Sequence, residues 1–236
     1  MKKNIKIVIK TIFLGGYLLV SNNLIAQNTN NKNNIQMKTT ESKFMSDHSE
    51  GDHGLEAILD YELSWVLRMV ADKECQREKP YLYHQCRHIM FELLGISDMP
   101  NITIDSVEVW KQWCYVDVVA DIYLTIDGKS ELHVILAENK AYTMMKENQR
   151  DNYPKIIKEA YDNYPRYRNY RDYNLHKVLI TCFSSSETSY KQLQQFIEGT
   201  DWSIFSVEDL PDWTVDNPTE SDLFNDFWLN DWTRYE

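Results

Sequence analysis

Apolar residues recur at helical spacing after Gly54, and this pattern predicts the first helix of a folded domain, over about residues 54–72. The apolar positions are Leu55, Ile58, Leu59, Leu63, Val66, Leu67 and Val70. The polar segment 72–80 that follows is expected to be a connection. A second helix is predicted over about 81–94, because helical spacing returns there and Gly95 is a typical residue at a helix end.

Alternating and continuous apolar runs then predict three strands. The segment 101–110 alternates between apolar and polar residues, which is typical of a half-buried strand. The segment 113–142 predicts two long strands joined by the turn Asp127–Ser130, whose Asp-Gly pair favours a hairpin. The three strands are therefore expected to follow one another as a meander.

Helical and strand patterns alternate through the rest of the chain. A helix is expected from Pro154 to about residue 164, since proline favours the first turn of a helix. The remaining predicted elements are a strand at 176–184, a helix at 189–199, a strand at 202–207 and a helix at 219–232. Strands that alternate with helices predict an α/β fold with a mixed central sheet flanked by helices.

Two opposite charges end the third predicted strand, and they point to chemistry. The apolar run 132–137 passes directly into Glu138, Asn139 and Lys140. Burying ionised groups costs several kcal/mol each unless they are paired or bind a metal. A surface salt bridge at a frayed strand end is the alternative explanation, and such a bridge contributes at most about 1 kcal/mol.

The hairpin predicts which side chains meet. If the turn is centred on Gly128 and Lys129, paired residue numbers sum to 257, so that Asp121 lies opposite Leu136 and Asp117 lies opposite Lys140. Paired residues share a face of the sheet. The charged side chains on one face would be Asp117, Asp121, Glu138 and Lys140, with Asn139 on the other face.

Three carboxylates and a lysine on one face suit a divalent cation. Mg²⁺ prefers oxygen ligands and is commonly held by one or two carboxylates, waters and substrate phosphate. Glu-x-Lys or Asp-x-Lys occurs three times in the chain, but only Glu138–Lys140 ends a buried strand. The location, and not the motif alone, gives the prediction its specificity.

This arrangement resembles the PD-(D/E)xK nuclease superfamily over about residues 54–184. That resemblance implies a restriction-endonuclease-like fold with a helix, a three-stranded meander, a helix and a further strand. It also implies that Asp121 and Glu138 are metal ligands and that Lys140 is the catalytic lysine. Ala120 precedes Asp121 where proline is usual, and Asp117 competes with Asp121 for the ligand role.

Two further elements of the resemblance concern helices. Many members carry Gln-x-x-x-Tyr on the helix after the lysine strand, and this chain has Gln149 and Tyr153 at that spacing. Pro154 follows directly, so the helix is not expected to be continuous there. Some members use a glutamate of the first helix as a metal ligand; Glu62 is the expected one and Glu56 the alternative.

The implied function is a nuclease, a hydrolase of phosphodiester bonds that depends on Mg²⁺ or Mn²⁺. The expected partner is nucleic acid, DNA before RNA. The alternative is a catalytically silent module of the same fold that binds nucleic acid or a protein. The net charge of −11 excludes a histone-like coat of nucleic acid but permits a nuclease that binds locally.

Residues 1–50 are expected to lie outside the folded domain, which is assigned to 51–236. Lysines followed by the apolar run 11–20 indicate a secretory signal peptide that ends near Ala26, and the run is too short for a stable membrane span. The alternative is translation from Met37 or Met45. The first reading predicts a secreted or periplasmic protein and the second a cytoplasmic one.

The segment 161–174 interleaves tyrosines with Arg166, Arg168 and Arg171. Aromatic faces and guanidinium groups together suit single-stranded nucleic acid. A solvated loop whose rings pack on the domain is the alternative interpretation.

Overall fold

A computed structural model describes residues 54–141, 143–164 and 172–229. The helices are α1 (Gly54–Met69), α2 (Lys73–Glu78), α3 (Pro80–Leu94), α4 (Glu147–Asn163), α5 (Thr188–Ile197) and α6 (Asp222–Trp228), with a 3₁₀ turn at Val207–Asp209. The strands are β1 (Ile102–Trp113), β2 (Val116–Ile126), β3 (Lys129–Lys140), β4 (Tyr173–Thr181) and β5 (Trp202–Ser206). Residues 1–53, and with them the expectations for the N-terminus, lie outside the described residues. So do Arg166, Arg168 and Arg171, on which the expectation for the segment 161–174 depends.

The five strands form one mixed sheet in the order β1-β2-β3-β4-β5. The first three are an antiparallel meander, whereas β4 runs parallel to both β3 and β5. Side chains of α1, α3 and α6 pack on one face, and those of α4 and α5 pack on the other. The predicted α/β architecture with a mixed sheet flanked by helices is confirmed.

Helices on both faces explain the composition of the central strands. Val118, Ala120 and Ile122 of β2 belong to the apolar layer beneath α1 and α3, while Val119 belongs to the layer beneath α4. A strand covered on both faces carries a nearly continuous apolar run. Polar residues within such a run therefore need partners, which gives Asp121 and the end of β3 their significance.

The predicted register of the hairpin was wrong by two residues. Asp121 pairs with Val134 and Val119 pairs with Leu136, so that paired numbers sum to 255. The turn is centred on Asp127 and Gly128, which both have positive φ, at 50° and 78°. A two-residue hairpin turn that follows the twist of the strands requires that conformation, which an Asp-Gly pair readily adopts.

Pro154 lies inside α4 and does not begin it, so the predicted start of that helix was wrong by seven residues. Proline lacks an N–H and cannot donate to the carbonyl four residues earlier. That carbonyl belongs to Arg150, and it accepts a hydrogen bond from the indole Nε1 of Trp202 over 3.1 Å. The indole of Trp202 thus replaces the missing N–H of Pro154 as the donor to this carbonyl. The helix is therefore continuous through Pro154 and carries both Gln149 and Tyr153.

Other boundaries differ less. The polar connection before α3 contains the short helix α2, whose first turn is capped by the carboxylate of Asp72. The first helix ends at Met69, and β1 extends three residues beyond the predicted strand, to Trp113. The last helix ends at Trp228, and residues 230–236 lie outside the described part of the chain. No helix within the described ranges has the length and apolar character needed to cross a membrane.

Candidate carboxylate–lysine site

Glu138 and Lys140 are buried together at the end of β3. Their relative exposures are 1% and 5%, and both side chains lie on the sheet face covered by α4. The ammonium Nζ of Lys140 lies 2.5 Å from Glu138 Oε1 and donates a second hydrogen bond to the backbone oxygen of Asn139 over 2.9 Å. The exposed salt bridge considered as the alternative from the sequence is therefore wrong, because this pair is shielded from water.

The environment of Glu138 disfavours its charge. Burial, followed by the charge of Asp117, raises the pKa of Glu138 to about 7, although Lys140 partly offsets both effects. Its second oxygen, Oε2, is buried and accepts no hydrogen bond from any described residue. Burial lowers the pKa of Lys140, but the charges of Glu138 and Asp117 outweigh it and leave that pKa raised. The strand end thus holds the charged ammonium of Lys140 beside the carboxyl group of Glu138, one oxygen of which accepts no hydrogen bond from a described residue.

Asp117 lies level with Glu138 on the neighbouring strand. The β2–β3 ladder ends with the pair Val118 and Ala137, and the next residues on the two strands are Asp117 and Glu138. The expected position of Asp117 opposite Lys140 was therefore wrong. The backbone N–H of Asn139 donates to Asp117 Oδ2 over 2.8 Å, and the amide of Gln112 donates to Oδ1 over 3.1 Å. These two bonds fix the carboxylate beside the strand end.

Asp121 lies four residues further along β2, opposite Val134. Four strand residues span about 13 Å. Asp121 and Glu138 therefore share a face of the sheet, but their carboxylates lie far apart. Asp121 is fully buried, and the hydroxyl of Tyr161 on α4 donates to its Oδ1. Its expected role as a metal ligand stays a prediction, but this placement favours Asp117.

The two candidate glutamates of α1 point to different parts of the molecule. Glu62 is buried near Cys86 and Trp228, in the layer between α1, α3 and α6, and burial raises its pKa to about 7. Glu56 accepts hydrogen bonds from the backbone N–H of Ala141 over 3.1 Å and from the hydroxyl of Thr143 over 3.0 Å. The structure therefore brings Glu56, the alternative residue, to the strand end and leaves Glu62 on the far side of the sheet.

Gln149 and Tyr153 of α4 both lie at the site. The amide Nε2 of Gln149 donates to Glu138 Oε1, while its Oε1 accepts from the backbone N–H of Lys146 over 2.9 Å. Tyr153 lies one helical turn further on; burial raises its pKa, and a hydrogen bond with Gln149 partly offsets the effect. The spacing of four residues places both side chains on one helix face, as the sequence indicates.

Asp60, Gln112 and Asn139, which were not predicted from the sequence as site residues, form hydrogen bonds that support the strand end from the opposite face of the sheet. Asn139 points to the opposite face, as expected, where its amide donates to Asp60 Oδ1 over 2.7 Å. Gln112 donates to Asp60 Oδ2 over 3.0 Å and also to Asp117. The detectable signal was a polar residue at a buried position, namely Asp60 on the apolar side of α1 and Asn139 within a buried strand.

The oxygens at the strand end suit a hard divalent cation. Glu138 Oε2 is a buried acceptor in need of a partner, and Asp117 lies beside it. In the described ranges no three His, Cys, Asp or Glu side chains converge as a ready metal-binding group. Mg²⁺ commonly takes only one or two carboxylates and keeps several waters, so the two side chains are sufficient in kind.

No protein-family model, no curated protein and no solved structure matches this chain.

Proposed function

We propose that this protein is a metal-dependent nuclease of the PD-(D/E)xK superfamily that hydrolyses phosphodiester bonds. The observation that carries the proposal is the buried pair of Glu138 and Lys140 at the end of a central strand, with Asp117 beside it and Glu138 Oε2 without a hydrogen bond from any described residue. A buried charge cluster of this kind is costly to maintain, and perturbed carboxyl groups concentrate at functional sites.

The order of the elements supports a restriction-endonuclease-like fold. The helix α1, the antiparallel meander β1–β3, the helix α4 and the strand β4 follow one another as the resemblance implies. β4 pairs in parallel with β3, next to the strand that bears Glu138 and Lys140. The active site that we propose would lie at the end of the central strand, between the meander and α4.

Glu138 and Asp117 are the residues that would hold Mg²⁺ or Mn²⁺, with Glu56 as the next nearest carboxylate. When bound, such an ion would polarise a phosphoryl group and lower the pKa of a bound water. Ionisation of Glu138 is needed for this role. A cation beside the carboxylate would favour ionisation, because opposite charges at close range lower a carboxyl pKa.

The chain's own groups have distinct tasks. The ammonium of Lys140, which is held in place by Glu138 and the carbonyl of Asn139, would donate to an attacking water or to a phosphate oxygen. A fixed cation at that point stabilises the negative charge that develops on phosphate in the transition state. Gln149 orients Glu138 through its amide, and Tyr153 supports Gln149.

A second candidate function is a catalytically silent module that binds nucleic acid or a protein. It is favoured by one observation, the lack of three convergent metal-binding side chains among residues 54–141, 143–164 and 172–229. In that case the pair of Glu138 and Lys140 would serve only to fix the end of β3 against α4.

Cleavage assays with the full-length chain separate the two functions. Linear duplex, circular and single-stranded nucleic acids are incubated with Mg²⁺, with Mn²⁺ or with chelator, and we expect cleavage of at least one substrate only when the metal is present. Lys140→Met tests the mechanism further. It should abolish cleavage while calorimetry still detects metal, because lysine is not a ligand.

Three outcomes of these assays are informative. Equal cleavage in chelator contradicts the metal mechanism. Binding without cleavage of any substrate favours the silent module. A Lys140→Met protein that cleaves at the wild-type rate shows that the buried pair is not the catalytic centre.

A further inference from the structure

A group of aromatic side chains lies on the face of the sheet that also carries the candidate site. Trp110 and Trp113 of β1 have ring centroids 5.8 Å apart. Tyr161 of α4 and Tyr164, the residue that follows α4, meet Trp113 edge to face, with centroids 5.9 Å and 6.1 Å from its ring. Trp110, Trp113 and Tyr161 belong to the apolar layer beneath α4, and Tyr164 adjoins that layer through its contact with Trp113.

Two tyrosines that adjoin this cluster are open to solvent. Tyr164 is 49% exposed, and Tyr115, which follows Cys114 of the cluster in the turn between β1 and β2, is 77% exposed. Tyr161 is buried, with its hydroxyl on Asp121. The ring of Trp113 therefore contacts both an exposed tyrosine and a tyrosine that is fixed to the sheet.

The connection between β1 and β2 joins the strand that carries Trp113 to Asp117. Trp113 pairs with Val116, the residue before Asp117. Gln112, Cys114 and Tyr115 all adopt positive φ, at 53°, 55° and 70°, which is uncommon for residues other than glycine. Three such residues in four store backbone strain, and strain of this kind clusters at functional sites. The same turn fixes Asp117 through the amide of Gln112.

We propose that Trp113, Tyr115 and Tyr164, here called the aromatic surface, stack the bases of an unpaired nucleic-acid strand. This inference rests on the proposed nuclease function and gives it a substrate class, namely single-stranded nucleic acid. Stacking on aromatic side chains holds unpaired bases regardless of sequence, because every base has a π-face. A base on Tyr115 would place its phosphodiester backbone close to Asp117, two residues further along the chain. Tyr164 lies 15 residues after Gln149, about 22 Å along the direction of α4, so it would hold a base several nucleotides further along the same strand.

Duplex nucleic acid fits the aromatic surface less well. The base faces of a duplex are covered by their neighbours, and duplex binding relies mainly on Lys and Arg that neutralise phosphates. The chain carries a net charge of −11, and the carboxylates of Glu56, Asp117 and Glu138 crowd the site itself. Stacking supplies affinity without positive charge, so it is the mode that this acidic protein can use.

Binding measurements with the full-length protein test the inference separately from cleavage. Fluorescence anisotropy in chelator compares a labelled oligothymidylate and a labelled oligouridylate with a DNA duplex of equal length. We expect a single strand to bind about tenfold or more tightly than the duplex, with a shallow dependence on salt, since few phosphates are neutralised.

Matched variants locate the contact. Tyr164→Ala and Trp113→Leu should each weaken binding of the single strand by about fivefold or more, the scale of one lost stacking contact. Tyr164→Phe keeps the ring and should bind as the wild type does. Trp213→Leu is the control for loss of an exposed indole elsewhere on the chain. Circular dichroism excludes misfolding as the cause, and Tyr164→Ala, at an exposed position, decides the matter if Trp113→Leu does not fold.

The outcomes distinguish this inference from the nuclease proposal. Ring-dependent binding of a single strand without any cleavage would support the aromatic surface and overturn the nuclease. Metal-dependent cleavage of duplex with no preference for single strands, or with no effect of Tyr164→Ala, would leave the nuclease in place and overturn the aromatic surface. Absence of binding to all three probes overturns the aromatic surface as well.

Discussion

Glu138 and Glu62 are both buried glutamates whose pKa burial raises to about 7, yet their surroundings differ completely. Glu62 lies in the layer of α1, α3 and α6, and Trp228 is the polar group that partly offsets its burial. Glu138 has a lysine, an amide and a second carboxylate around it, from β3, α4 and β2. A perturbed carboxyl is therefore insufficient to define a site; convergence of polar groups from several elements is the stronger criterion.

The largest expected difference is between Glu138→Gln and Glu62→Gln in the cleavage assay. Both changes remove a buried carboxylate and keep the volume. Glu138→Gln should lower the rate by about a hundredfold or more, the scale for loss of a preorganised charged group. Glu62→Gln should leave the rate within about twofold, because the side chain lies on the other side of the sheet. A comparable loss in both variants would remove the distinction between them.

The two aspartates of β2 sharpen the same comparison. Asp117→Asn should lower both metal affinity and cleavage by about tenfold or more, since Asp117 is the carboxylate beside Glu138. Asp121→Asn should affect both much less, because an amide oxygen can still accept the hydrogen bond from Tyr161. Calorimetry with Mg²⁺, together with cleavage rates, measures the two effects. Loss of metal binding only in Asp121→Asn would restore Asp121 as the ligand.

The last comparison concerns stability and pH, where no effect on catalysis is expected. The pKa of Glu62 is about 7 in the fold against a usual 4.5, so the native state binds more protons than the unfolded chain between these values. Stability associated with Glu62 is therefore fully present below pH 4.5 and is lost as pH rises through 7. Glu62→Gln removes this loss, and it should stabilise the protein by about 3 kcal/mol at pH 8 and by less than about 1 kcal/mol at pH 5.

Urea unfolding at both pH values measures this effect for Glu62→Gln, with Glu92→Gln, at an exposed position of α3, as the control. An equal change at pH 5 and pH 8 would mean that Glu62 does not titrate as described. Glu138→Gln is unsuitable for this purpose, because it also leaves Lys140 buried without its carboxylate partner.

The sequence predicts the elements and the faces better than the distances between them. Helical and strand periodicity located α1, α3 and the β2–β3 hairpin, and the alternation along strands correctly put Glu138 and Lys140 on one face and Asn139 on the other. The register failed because it depends on which two residues form the turn. That choice follows from the backbone conformation of Asp127 and Gly128, and apolar pattern does not specify it.

Contacts between distant elements were the least predictable part. On local grounds, Pro154 predicts the start of a helix. The helix can begin earlier because the indole of Trp202, 48 positions later in the chain, donates to the carbonyl of Arg150 that Pro154 leaves without a donor. Likewise, Gln112 meets Asp60 only because β1 and α1 are adjacent in the fold. Such partners depend on tertiary packing, and periodicity along one segment contains no information about them.

Three consecutive residues of β3 serve opposite layers of the molecule: Glu138 and Lys140 face α4, and Asn139 faces α1. Parity therefore constrains how β3 can change in length. Insertion or deletion of a single residue inside β3, before Glu138, would exchange the faces of the strand end, moving Asn139 towards α4 and both charges into the apolar layer. A change of two residues keeps every side chain on its own layer. Viable variants of β3 should consequently differ in length by even numbers, whereas the turn can take one more residue as a three-residue loop. Matched libraries of strand and turn insertions would reveal this difference directly.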